Sequence, residues 1–207
     1  SEIDAFSADH LMAVSKDDIT KLSNSKVVAT LLPGTTFFLG KKTYAPARDI
    51  LDEGITVALA TDYNPGSSHI QSMPFIMTLA CLHMGMTVEE AYQSATYNGA
   101  VALGIENNVG SIEIGKKADL VLLDTMRPEL RTLFNPINNI VYNADGRCVH
   151  TVIINGNPIG GAGSYTTHLW TGTGAGNLNS SSIDSPTFTP TATGNYTLNY
   201  IVTDANG

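Results

Sequence analysis

The sequence has few basic residues and no run of them. Among its 207 residues, 11 are lysine or arginine and 19 are aspartate or glutamate, which gives a formal net charge of −8. Proteins that bind nucleic acid carry a basic patch or stripe, so this balance argues against a polyanionic partner. No apolar run approaches the roughly 20 residues that span a bilayer. We therefore expect neither nucleic acid nor a membrane as a partner of this protein, which leaves room for a small-molecule substrate.

Cysteine is scarce and histidine pairs are absent. Cys81 and Cys148 lie far apart in sequence and form neither a disulfide framework nor a CxxC metal site, so we expect two reduced thiols in a cytoplasmic protein. No His-x-His pair occurs among the five histidines. A zinc or iron site takes several protein ligands, so this sequence alone does not complete one. It begins at Ser1 without methionine or a signal-like segment, and we expect it to be part of a longer protein.

The composition of the sequence changes near Gly160. Apolar residues make up 43% of the whole, which is ample for a buried core. Before Gly160, apolar runs alternate with helical patterns, whereas the later residues are rich in glycine, threonine, serine and asparagine. We predict three parts: α/β units over residues 1–105, a small β portion over residues 106–160, and an all-β segment over residues 161–207.

Strands and helices alternate in the first part. Apolar runs rich in strand formers predict strands, and segments with helical spacing predict helices. The predicted strands are residues 3–11, 27–32 and 55–60, and the predicted helices are residues 16–23, 45–53, 73–84 and 87–104. The βαβαβ order predicts parallel strands joined by right-handed crossovers. Residues 109–124 and 149–156 predict the strands of a separate small sheet, with a hairpin turn at Asn155-Gly156.

Polar residues follow the predicted strands, at the edge where the active sites of parallel α/β folds gather. Asp62 comes directly after the third strand, His10 ends the first, and the second ends in Gly34 and Thr35. A buried carboxylate has to be hydrogen-bonded, paired or metal-bound, and a neutral histidine near a metal-bound water can serve as general acid or base. The Asn-Pro-Gly that follows Asp62 fits equally well a plain turn, in which the carboxylate caps its own backbone.

Four motifs carry a family resemblance: Ser7-Ala8-Asp9-His10-Leu11, Leu31-Leu32-Pro33-Gly34, Thr61-Asp62-Tyr63-Asn64-Pro65-Gly66-Ser67 and Gly115-Lys116-Lys117-Ala118-Asp119. Together they resemble imidazolonepropionase, a family of the amidohydrolase superfamily. The resemblance is close over about residues 1–125 and looser over residues 126–160. It implies the C-terminal portion of a TIM-like (β/α)8 barrel, of which this sequence holds the last three βα units, beside part of a small β-sandwich.

The resemblance also implies a chemistry. Imidazolonepropionases use one zinc or iron ion to activate water, which opens the ring amide of 4-imidazolone-5-propanoate to N-formimidoyl-L-glutamate in histidine degradation. By resemblance, Asp62 is a metal ligand that accepts the proton of the attacking water, and His10 is the catalytic histidine. Asn64, Gly66 and Ser67 would hold the propionate and the ring of the substrate. The full-length enzyme is expected to be able to form a homodimer.

The resemblance leaves alternatives open. The family's other metal ligands belong to an N-terminal half that this sequence does not include, so a fragment that is inactive alone is implied. Residues 138–144 and 149–156 resemble instead the closing strands of other amidohydrolases, such as deaminases of purine nucleosides and related heterocycles. A heterocycle deaminase is therefore the alternative enzyme.

The last segment resembles something else. Residues 161–207 resemble part of a PKD-like or other Ig-like module of secreted bacterial proteins. Tyr196, Leu198, Tyr200 and Val202 alternate so that they share one face of a predicted strand, as a sandwich requires. This segment predicts an extracellular location, in conflict with the cytoplasmic character of the first part. It leaves a third alternative, a non-catalytic extracellular adhesive protein.

Overall fold

The computed structural model of the protein describes residues 4–131, 135–159, 165–171, 173–182, 187–189, 191–192 and 198–204. The chain divides into two compact units, Ser1–Ser111 with Asp124–Cys148 and Ile112–Leu123 with Val149–Gly207. No helix within the described ranges is long and apolar enough to cross a membrane. The domain boundaries near residues 105 and 160 stay predictions.

The first unit alternates strands and helices. In chain order its elements are β1 (Ser7–Asp9), α1 (Lys16–Ser23), β2 (Val28–Leu31), α2 (Pro33–Phe38), α3 (Ala47–Asp52), β3 (Val57–Leu59), α4 (Met73–Met84), α5 (Val88–Ala95), α6 (Tyr97–Ala102) and α7 (Pro136–Tyr142), with 3-10 turns at Pro128–Leu130 and Gly146–Cys148. β1, β2 and β3 form a parallel sheet in that order. The predicted βαβαβ order and the parallel pairing are confirmed.

One face of this sheet forms the core. Ala29, Leu31, Val57 and Leu59 alternate along β2 and β3 and are all buried. They belong to one hydrophobic cluster with buried helix residues, among them Ile19, Ala47, Ile50, Ile76, Met77, Ala80, Ala91 and Val141. Because successive strand residues point to opposite faces, these four residues share the face that packs against the helices of this cluster, and the intervening residues lie on the other face.

Local capping fixes where the helices begin. Ser15 before α1 and Thr87 before α5 each accept a hydrogen bond from the amide three residues on, and the carboxylates of Asp18 and Glu90 accept bonds from the cap amides in return. These are capping boxes, which satisfy two backbone donors at once. α4 ends at Gly85 in the left-handed conformation, with φ of 68°. The starts of α1, α4 and α5 therefore agree with the sequence prediction.

The strand predicted within residues 138–144 is wrong, because α7 occupies this region. The Oδ1 of Asn135 caps α7 by accepting hydrogen bonds from the amides of Ile137 and Asn138. The carbonyl of buried Val141 accepts a 2.7 Å hydrogen bond from the Thr78 hydroxyl on α4. β-branched residues favour strands locally, but the cap and the packing against α4 override that preference.

Two further differences involve helices. The single helix predicted over residues 87–104 is broken at Thr96, whose φ of −122° and ψ of −92° separate α5 from α6. The Thr96 hydroxyl donates to the carbonyl of Tyr92, a bond that competes with regular helix continuation.

The sequence does not predict α2, because this helix starts with Pro33 and Gly34. Proline is tolerated in the first turn of a helix, where its missing amide costs nothing.

The second unit is built from antiparallel strands. Its strands are β4 (Leu120–Leu123), β5 (Val149–Ile154), β6 (Asn157–Ile159), β7 (Tyr165–Thr171) and β8 (Asn199–Asp204), with a 3-10 turn at Ala175–Asn177. β4, β5 and β6 form one antiparallel sheet. Asn155 and Gly156 join β5 to β6 with φ of 52° and 80°, the two positive values that a type I′ turn needs. The predicted Asn-Gly hairpin is confirmed.

The end of the chain shows a smaller sheet. In the described part of residues 161–207, β7 pairs with β8, and an isolated bridge joins Leu178 to Phe188. Tyr196 lies outside the described residues, so the strand face predicted to include it is not tested. The Ig-like module stays a prediction.

Candidate active site

His10 and Asp62 meet at the carboxyl edge of the parallel sheet. His10 follows β1 directly, and Asp62 comes shortly after β3. Because the strands run parallel in the order β1-β2-β3, their carboxyl ends lie along one edge. The Nε2 of His10 lies 3.9 Å from the Oδ2 of Asp62. The structure thus brings together the two residues that the sequence predicts as catalytic.

Both residues have backbone conformations that are uncommon for side chains with a Cβ. His10 has φ of 68° and Asp62 has φ of 48°. The His10 amide still donates to the Thr30 carbonyl on β2, and the Leu11 amide then closes a tight turn onto the carbonyl of Asp9. Positive φ in residues other than glycine costs free energy and concentrates at functional sites. The chain therefore reverses sharply at these strand ends, where it presents both side chains.

A third residue fixes the carboxylate. The hydroxyl of Thr35 on α2 donates a 2.6 Å hydrogen bond to the Oδ2 of Asp62. Thr35 is only 4% exposed, whereas the Asp62 side chain is 28% exposed and the His10 side chain 44%. The carboxylate is thus anchored to α2 by a buried hydroxyl, and it remains partly open to solvent. The sequence places Thr35 at a polar strand end, but it gives no sign that its hydroxyl is directed at Asp62.

The loop after Asp62 is held by Asn64. Its Oδ1 accepts hydrogen bonds of 2.8 Å from the amides of both Gly66 and Ser67, and its Nδ2 donates to the Asp62 carbonyl at 2.6 Å. The hydroxyl of buried Ser68 donates to the Thr61 carbonyl. In this structure the two backbone donors assigned to the substrate bind Asn64 instead. The substrate-binding role of Asn64, Gly66 and Ser67 stays a prediction.

The residues fit part of a metal site. Across the described ranges, no group of three or more histidine, cysteine, aspartate or glutamate side chains is placed to hold a metal ion. Asp62 suits one ligand position, because the described contacts with Thr35 and His10 involve its Oδ2 and leave its Oδ1 for an ion. A catalytic zinc site uses about three protein ligands. The described residues therefore offer one carboxylate that suits a metal ion and a neighbouring histidine.

The remaining histidines with described side chains have structural contacts. The His69 ring packs on Phe38 with centroids 4.8 Å apart, and its Nε2 lies 3.1 Å from the Pro65 carbonyl oxygen. His83 stacks on Tyr44, also with centroids 4.8 Å apart. His150 lies on β5 in the second unit, next to the hydroxyl of Thr151. Each of these three histidine side chains therefore has a ring or hydrogen-bond contact within its own unit.

An open cleft of about 800 Å³ lies beside β1. It is lined by Asp9, His10, Leu11 and residues of α1 that include Lys21 and Leu22. β1 is one of the two edge strands of the described parallel sheet, and β3 is the other. His10 therefore faces two environments, because its Nε2 lies near Asp62 and the residue also lines this cleft.

Relatives with similar sequences are known. Residues 7–159 match the model of the amidohydrolase family. The imidazolonepropionase of Geobacillus kaustophilus is 53% identical over 124 residues, which are 60% of this chain and 29% of that enzyme. That of Alkaliphilus metalliredigens is 42% identical over 156 residues, 75% of this chain and 35% of that enzyme. The chain thus spans about a third of the length of the curated relatives it matches.

Solved structures share the fold. An adenosine deaminase from Xanthomonas campestris with bound zinc has a TM-score of 0.69 and 26% identity, over 73% of this chain and 36% of that one. An atrazine chlorohydrolase from Arthrobacter aurescens, complexed with zinc, has a TM-score of 0.64 and 20% identity, over 73% of this chain and 35% of that one. The second likeness concerns the fold alone. Both matches indicate a mixed α/β fold of the TIM-barrel class.

Proposed function

This chain belongs to the amidohydrolase family, and we propose that it forms part of a metal-dependent hydrolase that opens the ring amide of 4-imidazolone-5-propanoate to N-formimidoyl-L-glutamate. The single observation that carries the proposal is the approach of His10 to Asp62 at 3.9 Å. The two residues lie within the segment that is 42–53% identical to imidazolonepropionases. The chain would contribute the last strand ends of the active site.

Each residue of the pair suits one part of the reaction. Hydrolysis of a ring amide adds water oxygen to the carbonyl carbon and breaks the C–N bond, so one proton has to move from water to the leaving nitrogen. The carboxylate of Asp62 can accept that proton, and His10, within reach of the same Oδ2, can pass a proton to the nitrogen or donate a hydrogen bond to the carbonyl oxygen. Their partial exposure leaves room for a small substrate above them.

A metal ion is part of the proposal. Zinc or iron held through Asp62 would supply Lewis-acid activation of the attacking water. Asp62 provides one ligand, so the other ligands have to come from residues outside the described part of this chain. The cleft beside edge strand β1 offers space for further elements that carry them. Zinc in the similar adenosine deaminase structure supports a divalent ion.

A complementation experiment tests the proposal. The chain is produced alone and together with the part of an imidazolonepropionase that precedes the aligned segment, with Zn²⁺ or Fe²⁺ added. We expect no turnover by the chain alone, and consumption of 4-imidazolone-5-propanoate by the reconstituted complex. Absence of hydrolysis by a complex that is folded and contains the metal would refute the proposed function.

A heterocycle deaminase is the second candidate. It is favoured by the likeness to the Xanthomonas campestris adenosine deaminase, which has the TM-score of 0.69. Both reactions hydrolyse a C–N bond, but deamination releases ammonia whereas ring opening retains the nitrogen in the product. The same reconstituted complex is therefore supplied with adenosine and guanine. Ammonia release from either, without consumption of the imidazolone, would favour the deaminase.

A further inference from the structure

A side-chain hydrogen bond ties the carboxylate of Asp62 to the body of the fold. That bond comes from Thr35, which lies in the first turn of α2, directly after β2. At 2.6 Å it falls in the range of charge-assisted O–H···O⁻ bonds, which are stronger than bonds between neutral groups. The bond therefore restrains the rotation of the Asp62 side chain.

The surroundings make Thr35 a rigid donor. Thr35 and Thr36 are 4% and 1% exposed, and the hydroxyl of Thr36 contacts the sulfur of Met12 at 3.0 Å. Gly34 approaches the next layer so closely that a Cβ there would lie 2.7 Å from the Cδ1 of Ile76. The first turn of α2 is thus packed in place on several sides. A hydroxyl held in a fixed position restrains the carboxylate oxygen of Asp62 that accepts its hydrogen bond.

The two oxygens of Asp62 consequently have different surroundings. Oδ2 accepts from Thr35 and faces the His10 ring, whereas Oδ1 lies outside both contacts. We propose that Thr35 is a positioning residue, which locks one rotamer of Asp62 so that Oδ2 faces His10 and Oδ1 stays outside both contacts, where it would be available to an ion. The chemical meaning of this role rests on the proposed function, but the locking itself is a property of the described residues.

The first test measures the rotamer without any activity. In the full 207-residue chain, three-bond couplings to the Asp62 carboxyl carbon report its χ1 angle by NMR. We expect one χ1 rotamer in the unsubstituted chain and in Thr35→Ser, which keeps the hydroxyl, and averaging over rotamers in Thr35→Val, which removes it. Thr36→Val is the matched control, because it makes the same change at the neighbouring buried position without contacting Asp62.

The second test measures the affinity of the complex for the metal ion. In the reconstituted complex, Zn²⁺ affinity is determined by competition with a chelator, and loss of a group that orients a ligand typically weakens it about 10- to 100-fold. We expect such a loss for Thr35→Val, and values within about threefold of the unsubstituted complex for Thr35→Ser and Thr36→Val.

The outcomes separate this inference from the proposed function. A single Asp62 rotamer in Thr35→Val, or equal averaging in Thr36→Val, overturns the positioning role. Averaging in Thr35→Val alone supports it. If that averaging occurs and the unsubstituted complex neither binds Zn²⁺ nor hydrolyses the imidazolone, the positioning role stands and the proposed function falls.

Discussion

The Nε2 of His10 lies 3.9 Å from the Oδ2 of Asp62, although the two residues follow different strands, β1 and β3. The strand between them, β2, sets this distance, because it pairs in parallel with both. The order of the strands therefore brings His10 and Asp62 together, and substitutions that leave the sheet intact can test the role of each residue.

Substitution of either member by asparagine should abolish most of the activity and preserve the fold. Asparagine tolerates positive φ better than most residues, so His10→Asn and Asp62→Asn both suit the native backbone. Loss of a group that moves a proton costs about 10²- to 10⁴-fold in rate, so we expect kcat/KM of the reconstituted complex to fall by that factor. His83→Asn, on α4, is the control. Retention of activity in both variants would contradict the assigned roles.

The ion pair between α3 and α5 should make stability depend on pH. The guanidinium of Arg48 contacts both carboxylate oxygens of Glu90 at 3.0–3.1 Å. Hydrogen bonds from Arg48, aided by the Thr87 amide, hold the pKa of Glu90 below its ordinary value. A lowered folded-state pKa stabilises the fold above the unfolded pKa, about 4.3, and that stabilisation disappears as the pH falls through the folded value.

We therefore expect Glu90→Gln to lower the free energy of unfolding by about 1 kcal/mol at pH 7, and by less below pH 4. Urea unfolding of both proteins at the two pH values measures this difference. Glu89→Gln changes the exposed neighbour on the same helix, and it should shift stability by less than about 0.5 kcal/mol at either pH. A Glu90→Gln effect that grows in acid would contradict the ion-pair explanation.

The two cysteines should be unreactive in the folded protein. Both thiols are free, and Cys148 is fully buried. Burial raises the pKa of the Cys81 thiol above its ordinary value, so less of the reactive thiolate is present at neutral pH. We expect native labelling by a disulfide reagent at pH 7 to be about tenfold or more slower than that of a free thiol, with both cysteines labelled in urea. Rapid native labelling of either cysteine would contradict this expectation.

A methyl group at Gly34 should disturb the base of the site. Its Cβ would lie 2.7 Å from the Cδ1 of Ile76 and 3.3 Å from the Oγ of Ser68, and both of those residues are fully buried. Overpacking of this kind costs about 1 to 3 kcal/mol, so we expect Gly34→Ala to lower the melting temperature. At Gly146 a Cβ meets nothing within 4 Å, and Gly146→Ala is the control. Equal stability of the two variants would show that α2 can move away from α4.

Much of the fold follows from local signals in the sequence. α1 and α4 have the predicted bounds, because a capping serine precedes each and a helical pattern continues to the predicted end. α7 differs, since its β-branched residues favour a strand until the Asn135 cap and the contact of Thr78 with Val141 are known. Local preference is a weak guide where packing between distant segments contributes more free energy.

The sequence by itself determined that Asp62 and His10 end predicted strands, and its motifs tied both to an amidohydrolase site. Only the tertiary structure decided that the Thr35 hydroxyl donates to Asp62 and that Asn64 accepts hydrogen bonds from the amides of Gly66 and Ser67. The physical reason is that the type and position of a strand or helix follow from short periodic patterns in the sequence. A hydrogen bond between side chains 27 positions apart depends instead on the register of two strands and the packing of a helix, which no local pattern encodes.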